Sequence, residues 1–318
     1  MPPGWTSCVV KIANRVRWGT KQPYACFDKP RAICSGGSFI FVFQGQGKKQ
    51  DTFLSALNIG KEKVNDKKEC FVRNIKRFEI MSRIDGRAAD ELRPWIITPD
   101  FLRHPAGSVL IACGNTREIA AATCENKVPQ WMKNQKVPGG WLTCEYGMLP
   151  SATGERTKRE AAAGKQGGRT VEIQRLIGRS LRMAVDLDLL TEKTITVDCD
   201  VIDADGGTRC AGITGAAVAV ALACRKLDLA PSPFKELVAA VSVGIIDGVP
   251  TLDLCYEEDS RADVDMNVVM TESGKIIEIQ GTAEENPFDR KQLNELLDLA
   301  ECGLKKIFAI QREALESI

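Results

Sequence analysis

The sequence predicts an α+β fold, in which strand hairpins and helices occupy separate stretches of the chain. Two runs of apolar residues flank a Gly-Asn pair at 114–115, and two more flank an Asp-Gly pair at 247–248, as the strands of hairpins do. Along 293–308, apolar residues recur at helical spacing, which predicts one long amphipathic helix or two helices broken at Gly303. These features indicate one large domain over residues 81–318.

Each remaining element is predicted from the spacing of its apolar residues. Apolar residues three and four apart indicate a helix, alternation with polar residues indicates a half-buried strand, and a run rich in alanine and valine indicates a buried helix. In chain order, the predicted elements are strands at 108–113 and 117–124, a helix at 170–187, a strand at 194–201, a buried helix at 212–227, and strands at 238–246, 251–256 and 266–271.

Two glycine-led segments carry most of the functional information. Residues 167–169 (Gly-Gly-Arg) precede the first predicted helix, and residues 206–209 (Gly-Gly-Thr-Arg) lie between the strand and the buried helix. Glycine lets the backbone approach a ligand closely, each arginine adds a fork of donors suited to phosphate oxygens, and a helix N-terminus favours an anion. We predict that the two segments form one anion site. The alternative is that each is an ordinary tight turn with a solvated arginine.

An acidic segment follows the last predicted hairpin. Residues 257–267 contain five carboxylates between two predicted strands. Magnesium prefers such hard oxygen ligands and binds through one or two carboxylates while keeping waters and substrate phosphates. A solvated acidic turn is the alternative, but the neighbouring anion site favours a metal or a general acid here.

The composition excludes several classes of enzyme. The single histidine, His104, precedes Pro105, so a histidine-based triad or an HExxH zinc site is unavailable. The twelve cysteines include no CxxC pair, and several lie in apolar runs, which indicates reduced, buried thiols. The strongly apolar stretch 39–43 is too short for a membrane span or a signal-peptide core. We therefore expect a cytoplasmic protein with no membrane partner.

Long motifs recur from Met81 nearly to Ile318 in the order found in one known family. They are KQGGRT (165–170), EIQRLIGRSLR (172–182), VDCDVIDADGGTR (197–209), EDSRADVDMNVVMT (258–271) and IQGTAE (279–284). Together they resemble bacterial RNase PH, a phosphate-dependent 3′-to-5′ exoribonuclease that trims tRNA 3′ ends. The shared order of several long motifs makes the resemblance specific.

The resemblance implies a mechanism, a cofactor and an assembly. Inorganic phosphate would attack the terminal 3′,5′-phosphodiester of an RNA such as a tRNA precursor and release a nucleoside diphosphate, reversibly, in a homohexamer built as a trimer of dimers. It assigns phosphate binding to Arg169, Gly207, Thr208 and Arg209, Mg²⁺ binding and acid catalysis to Asp259 and Asp265, and RNA-backbone binding to Arg156 and Arg159.

Some positions depart from the family pattern. Ser151 and Gln130 stand where arginine is common, and the stretch 133–141 is longer and less regular in glycine than usual. These departures concern the grip on RNA, for which other lysines could compensate, because backbone contacts need charge more than exact position. Trp131 could stack on a base, or it could be a core or interface residue.

The first eighty residues differ from the rest of the chain. Residues 1–80 contain fifteen Lys and Arg against six Asp and Glu, so the remainder carries about eight negative charges in a chain of net charge +1. Little in this stretch is periodic beyond 39–43, so we predict no folded domain there. It would be either a basic arm that captures RNA or sequence from upstream of a natural start at Met81, and the second is favoured.

Two alternative functions belong to other classes. A non-catalytic RNA-binding ring subunit of an exosome-like complex would keep the fold, but such subunits typically lose the arginine segments or the aspartate pair, and this chain has both. A relative of polynucleotide phosphorylase would duplicate the core and add RNA-binding modules. The chain of 318 residues has room for neither addition.

Overall fold

The computed structural model describes residues 6–9, 31–35, 38–44, 52–58, 83–284 and 286–318. The chain divides into two compact units, Met1–Ile75 and Lys76–Ile318. The first unit contains one antiparallel sheet with its strands in sequence order. These strands are β1 (Thr6–Val9), β2 (Arg31–Ser35), β3 (Ser38–Gln44) and β4 (Thr52–Asn58).

The sequence analysis found one apolar run in this first unit, 39–43, and that run lies inside β3. The other three strands have no comparable alternation and were not predicted. The prediction that residues 1–80 are disordered or foreign to the natural protein, and the boundary at residue 81, stay predictions.

The second unit begins with a five-stranded sheet in the order β5-β6-β7-β9-β8. All neighbours are antiparallel except β8 and β9, which run parallel. The hairpin predicted around 114–115 is the β6–β7 hairpin. The strands are β5 (Trp95–Pro99), β6 (Gly107–Cys113), β7 (Thr116–Glu125), β8 (Trp141–Met148) and β9 (Thr194–Asp203).

A four-stranded antiparallel sheet follows, in the order β11-β10-β12-β13. The turn between its first two strands has positive φ at both Asp247 (51°) and Gly248 (76°), the backbone that a two-residue hairpin of the favoured twist requires. The strand predicted at 251–256 ends at Leu252. The strands are β10 (Val238–Ile246), β11 (Val249–Leu252), β12 (Val264–Thr271) and β13 (Ile276–Ala283).

Six helices are described in this unit. The C-terminal one is continuous through Gly303, which packs against the side chain of Leu252, so the single-helix alternative is correct. The helices are α1 (Gln130–Gln135), α2 (Glu160–Ala163), α3 (Gly168–Ala184), α4 (Thr208–Leu227), α5 (Tyr256–Asp259) and α6 (Arg290–Glu316).

The three long helices lie between the two sheets. Helix α3 contacts β8 of one sheet and β12 and β13 of the other, α4 contacts β6, β7 and β10, and α6 contacts β5, β10 and β11. The result is an α+β sandwich in which both sheets bury one face against a shared helical layer, which confirms the predicted fold class. Both α3 and α4 begin at the same end of this layer as α5, and that end carries the candidate site.

Helix α4 is buried almost along its whole length. In the described part of the chain it is the one helix long and apolar enough to cross a membrane, but its apolar residues pack on both sheets, as expected of a core helix. The cysteines fit the same core: Cys113, Cys144, Cys199 and Cys224 are buried free thiols, whereas Cys255 is only half-buried.

Candidate active site

Arg169 is the second residue of α3, and its helix start is fixed by a neighbouring carboxylate. Gly167 caps the helix in an extended conformation, and its backbone N–H donates to Glu160 Oε1 (2.9 Å), which also accepts from Thr170 Oγ1 (2.7 Å). Arg169 itself is exposed and forms no ion pair within the described chain. Its guanidinium is therefore free to meet a ligand in front of the helix N-terminus.

The second glycine segment has a backbone that only glycine adopts readily. Gly206 and Gly207 are both left-handed, with φ of 75° and 71°. A Cβ on Gly206 would lie 2.7 Å from the backbone nitrogen of Tyr256, and one on Gly207 would lie 2.8 Å from Arg93 Nη2. The two glycines thus bring the start of α4 against two other segments, with Thr208 and Arg209 in its first turn.

Glu172 connects the two arginine segments. Arg209 Nη2 donates to Glu172 Oε2 (2.7 Å), and Gln280 Nε2 donates to Glu172 Oε1 (3.1 Å). Burial raises the pKa of Glu172, but these hydrogen bonds and the charges of Arg209 and Arg169 outweigh burial and lower it. Both arginines therefore act on one carboxylate, so the structure brings the two segments together, as the sequence predicted.

One buried donor in this site has no acceptor. Among the residues that the structure describes, none accepts a hydrogen bond from Arg209 Nε, although that atom is buried. A buried charged donor left unpaired costs free energy, so the arrangement fits an anion that supplies the acceptor. Beside it, the Tyr146 hydroxyl lies 3.1 Å from Thr208 Oγ1 and orients the first side chain of α4.

Asp259 and Asp265 form the acidic side of the same site. Asp259 ends α5, and Asp265 is the second residue of β12. Burial and, after it, the neighbouring Asp259 carboxylate together raise the pKa of Asp265 to about 7, although the charge of Arg209 opposes the rise. Asp263, by contrast, accepts a hydrogen bond from Asn286 Nδ2 (3.1 Å). The structure thus brings Asp259, Asp265 and Arg209 together and gives Asp263 a different partner.

The donor set at this pair fits magnesium. Asp265, whose pKa is raised beside the Asp259 carboxylate, lacks a nearby countercharge strong enough to keep it ionised, and a divalent cation would supply it. No group of three or more His, Cys, Asp or Glu side chains suited to a metal occurs among the described residues. Two carboxylates suffice for Mg²⁺, because waters and phosphate oxygens complete its coordination.

A buried ion-pair network holds α5, and the sequence analysis missed it. Arg83 Nε and Nη2 donate to both oxygens of Glu258 (2.8 and 2.5 Å), and Arg87 Nη2 lies 3.5 Å from the same carboxylate. Arg93 pairs with the buried Asp253 at 2.7 Å. Each partner lies some 160 residues or more away along the chain. No local pattern could therefore identify the pairs.

The basic residues predicted to hold RNA lie on a connected, exposed loop. Arg156 and Arg159 are exposed, and Arg159 caps α2, whose Glu160 reaches the start of α3. The loop runs beside the end of β9, where Ala204 N–H donates to the Ala152 carbonyl (2.8 Å). A cleft of about 490 Å³ lies between this loop and the entry to the second glycine segment. This exposed loop and the two arginine segments therefore share one end of the fold.

Helix α1 contains Gln130 and only the first three residues of the irregular stretch 133–141. Trp131 is 41% exposed and packs edge-on against Trp141, with ring centres 5.1 Å apart. The Arg182 guanidinium stacks on the other ring, 4.9 Å from the centre of Trp141. Part of Trp131 thus contributes to packing, and its exposed part leaves both earlier interpretations open.

A second feature that sequence reasoning missed is a buried acid behind the start of α4. Glu118 is fully buried on β7, and neither carboxylate oxygen has a hydrogen-bond partner within the described residues. Burial holds the pKa of Glu118 well above its ordinary range, because the charged carboxylate is disfavoured away from water. Gly212 leaves the room for it, since a Cβ there would lie 2.8 Å from Glu118 Oε1.

The chain is similar to known proteins over most of its second unit. Residues 91–226 match the family model described as "3′ exoribonuclease family, domain 1", and residues 236–302 match "3′ exoribonuclease family, domain 2". Ribonuclease PH of Corynebacterium efficiens is 58% identical over 238 residues, which span 74% of this chain and 96% of that protein.

Two solved structures share the fold. Rice Rrp46 superposes with a TM-score of 0.61 at 19% identity, over 74% of this chain and all of that one. A chain of the Archaeoglobus fulgidus exosome with RNA bound to the active site superposes with a TM-score of 0.61 at 22% identity, over 73% of this chain and 93% of that one. At these identities the likeness concerns the fold alone.

Proposed function

Because this chain belongs to the 3′ exoribonuclease family and is a phosphorolytic 3′-to-5′ exoribonuclease, we propose that Arg169 and residues 206–209 bind its co-substrate, inorganic phosphate. One observation carries the assignment: both arginines act on Glu172, and Arg209 keeps a buried donor without an acceptor. The starts of α3 and α4 supply further donors and positive potential for an anion between them. Gly207, Thr208 and Arg209 then form one wall of the phosphate site, and Arg169 forms the other.

The reaction exchanges one phosphate linkage for another. A phosphate oxygen attacks the phosphorus of the terminal 3′,5′-phosphodiester, the bond to the 3′ oxygen of the preceding nucleotide breaks, and a nucleoside diphosphate leaves. The preceding 3′ oxygen takes up a proton. We assign that proton to the Asp259–Asp265 pair, because a carboxyl with a pKa near 7 can hold it at neutral pH. One P–O ester bond breaks and one P–O–P anhydride bond forms, so no phosphate linkage is lost to water and the reaction is reversible.

The same two aspartates are the residues that would hold Mg²⁺. When bound, the metal would neutralise charge on the phosphate groups during transfer. The site is basic on one side and acidic on the other, so a cation between phosphate and carboxylates would be attracted from both directions.

The RNA side of the site involves Arg156 and Arg159. Both are exposed on a loop whose Glu160 is hydrogen-bonded to the start of α3, so RNA held there leads towards the phosphate site. Contacts of this kind recognise the RNA backbone and not its sequence. We propose that the natural substrates are tRNA precursors with extended 3′ ends.

The assembly and location are proposals of the same kind. We propose a homohexamer, a trimer of dimers, acting in the cytoplasm and without a membrane partner. A non-catalytic ring subunit is the less favoured function, because the chain has both arginine segments and both aspartates, and its exosome relatives are distant in sequence.

The test is the fate of a tRNA carrying a 3′ extension, incubated with the full chain in the presence and absence of phosphate. Nucleoside diphosphates should be released only with phosphate, and trimming should stop near the mature end. A single-stranded RNA of the same length is the control for substrate preference. Release of nucleoside monophosphates without phosphate would contradict phosphorolysis, and equal rates on both RNAs would contradict the tRNA assignment.

A further inference from the structure

Tyr256 is the first residue of α5, and its side chain is 65% exposed. It is more exposed than any other large apolar or aromatic side chain among the described residues. An aromatic ring in water leaves apolar surface unburied, and a single exposed ring needs no explanation by itself. This ring is of functional interest because Tyr256 lies beside the candidate site.

The backbone that carries Tyr256 is rigidly held. Its N–H donates to Asp205 Oδ1 (3.3 Å), and the left-handed Gly206 packs against the same nitrogen. Two residues further on, Glu258 is fully buried in its ion pair with Arg83. The exposed ring thus stands on an anchored turn, so its exposure is not that of a loose loop.

Tyr256 lies on the same short turn as Asp259. Residues three apart on a helix lie on the same face, so Tyr256 shares a face with Asp259, while Glu258 points into the ion-pair network. On the other side, Tyr256 adjoins the glycine segment that ends in Thr208 and Arg209. The backbone of Tyr256 therefore lies between the glycine segment and the turn that ends at Asp259.

We propose that Tyr256 is a binding residue that stacks on the 3′-terminal nucleobase of the RNA. This inference rests on the proposed function of the site. The side chains assigned to phosphate and metal are charged or hydroxylic and offer nothing to the apolar face of a base, whereas an exposed tyrosine does. Stacking is tolerant of sequence because every base has a π-face, and that suits an enzyme that removes successive nucleotides of any kind.

The experiment is a double-mutant cycle between the ring and the base. The full chain, Tyr256→Ala and Tyr256→Phe are compared on two RNAs that differ only in whether the 3′-terminal nucleotide carries its base or is abasic. Initial rates of the first cleavage give kcat/KM for RNA at saturating phosphate. Phe101→Ala is the matched control. Phe101 is an aromatic residue of 44% exposure, and it follows the end of β5 that lies away from Gly114.

On the normal RNA, the kcat/KM of Tyr256→Ala should be about tenfold lower than that of the parent protein, because KM for RNA rises. The kcat/KM values of Tyr256→Phe and Phe101→Ala should stay near the parent value. On the abasic RNA, the kcat/KM of the parent protein should be about tenfold lower than on the normal RNA. The kcat/KM of Tyr256→Ala should be the same on both RNAs. The KM for phosphate should be the same in all four proteins, because the phosphate segments are untouched.

Two results would overturn the inference. Equal losses for Tyr256→Ala on normal and abasic RNA would mean that the ring acts on the structure and not on the base. A changed oligomeric state of Tyr256→Ala in size-exclusion chromatography would place the ring in a subunit contact. Failure of the proposed function is distinguishable, since the parent protein would then lack phosphate-dependent cleavage of either RNA.

Discussion

The basic half of the site (Arg169, Thr208, Arg209) and the acidic half (Asp259, Asp265) are held in place by different means. The basic half depends on local structure: two helix starts, two left-handed glycines and one carboxylate, Glu172. In the acidic half, Asp265 lies in the sheet strand β12, and Asp259 lies in α5, which is fixed by buried ion pairs to residues near the start of the domain. The basic half can therefore lose a side chain and stay folded, whereas the support of the acidic half is part of the folded core.

The largest expected effect is on chemistry, in the acidic half. Asp259→Asn or Asp265→Asn keeps the shape and removes a charge and a proton carrier, so kcat should fall by about 10²- to 10⁴-fold while RNA binding survives. Asp263→Asn is the control, because Asp263 is bonded to Asn286 and lies outside the pair. Steady-state phosphorolysis and RNA binding by the three variants test this. A series in which Asp263→Asn is the most damaging would show that the wrong aspartates were assigned.

The next effect is on stability, through the support of α5. Arg83→Ala leaves Glu258 charged, fully buried and short of its main partner, so the free energy of unfolding should fall by about 3–5 kcal/mol. Arg117→Ala is the matched control, because its ion pair with Asp203 is exposed and should be worth at most about 1 kcal/mol. Urea denaturation compares the two. Similar losses for both variants would mean that the network does not hold the acidic half.

A smaller effect concerns the pH dependence of stability. Burial and Asp259 raise the pKa of Asp265 to about 7, well above its unfolded value of about 3.9, so the folded state binds more protons between these pH values. Stability should be lost as pH rises from about 4 to about 7 and stay level above that. Asp265→Asn should remove this part of the slope.

Thermal unfolding between pH 5 and 8, without phosphate or Mg²⁺, measures this slope. Added Mg²⁺ should restore stability at pH 8 in the parent protein and not in Asp265→Asn, because the cation would favour the ionised pair. Asp263→Asn should behave as the parent does. Identical slopes in all three proteins would show that Asp265 ionises as an ordinary exposed carboxyl.

The smallest expected effect is that of the first eighty residues. A chain beginning at Met81 keeps Arg83 and every residue assigned to the site, so we expect its activity and oligomeric state to match those of the full chain. If the surplus positive charge of residues 1–80 instead engages RNA, deletion should flatten the dependence of RNA affinity on salt by about one unit per lost phosphate contact. RNA affinity across a salt series, with size-exclusion chromatography, decides between the two.

The contrast between the two halves also explains what the sequence could predict. Glycine, arginine and helical periodicity are local signals, so the start of α3, the segment 206–209 and both hairpins were predicted within a few residues. The strand predicted at 251–256 was wrong beyond Leu252. There the chain turns into α5, because Asp253 pairs with Arg93 and Glu258 pairs with Arg83. The spacing of residues in the sequence does not indicate these ion pairs.

Other features were invisible for similar reasons. Glu118 lies in a strand whose neighbours are apolar, and only the folded structure shows that Gly212 makes room for its carboxyl. The exposure of Tyr256 depends on α5, which the sequence did not predict. The sequence identified Asp259 and Asp265 as candidate residues. Their proximity and the raised pKa of Asp265 could be known only from the three-dimensional structure.

Phosphate binding tests the central claim, a single phosphate site formed by both arginine segments, most directly. The measurement is thermal unfolding across a phosphate titration for the full chain, Arg169→Ala, Arg209→Ala and the double variant. The parent should gain stability with phosphate, each single variant should need about ten- to hundredfold more phosphate for the same gain, and the double variant should need more still. Unchanged phosphate stabilisation in either single variant would contradict one shared site.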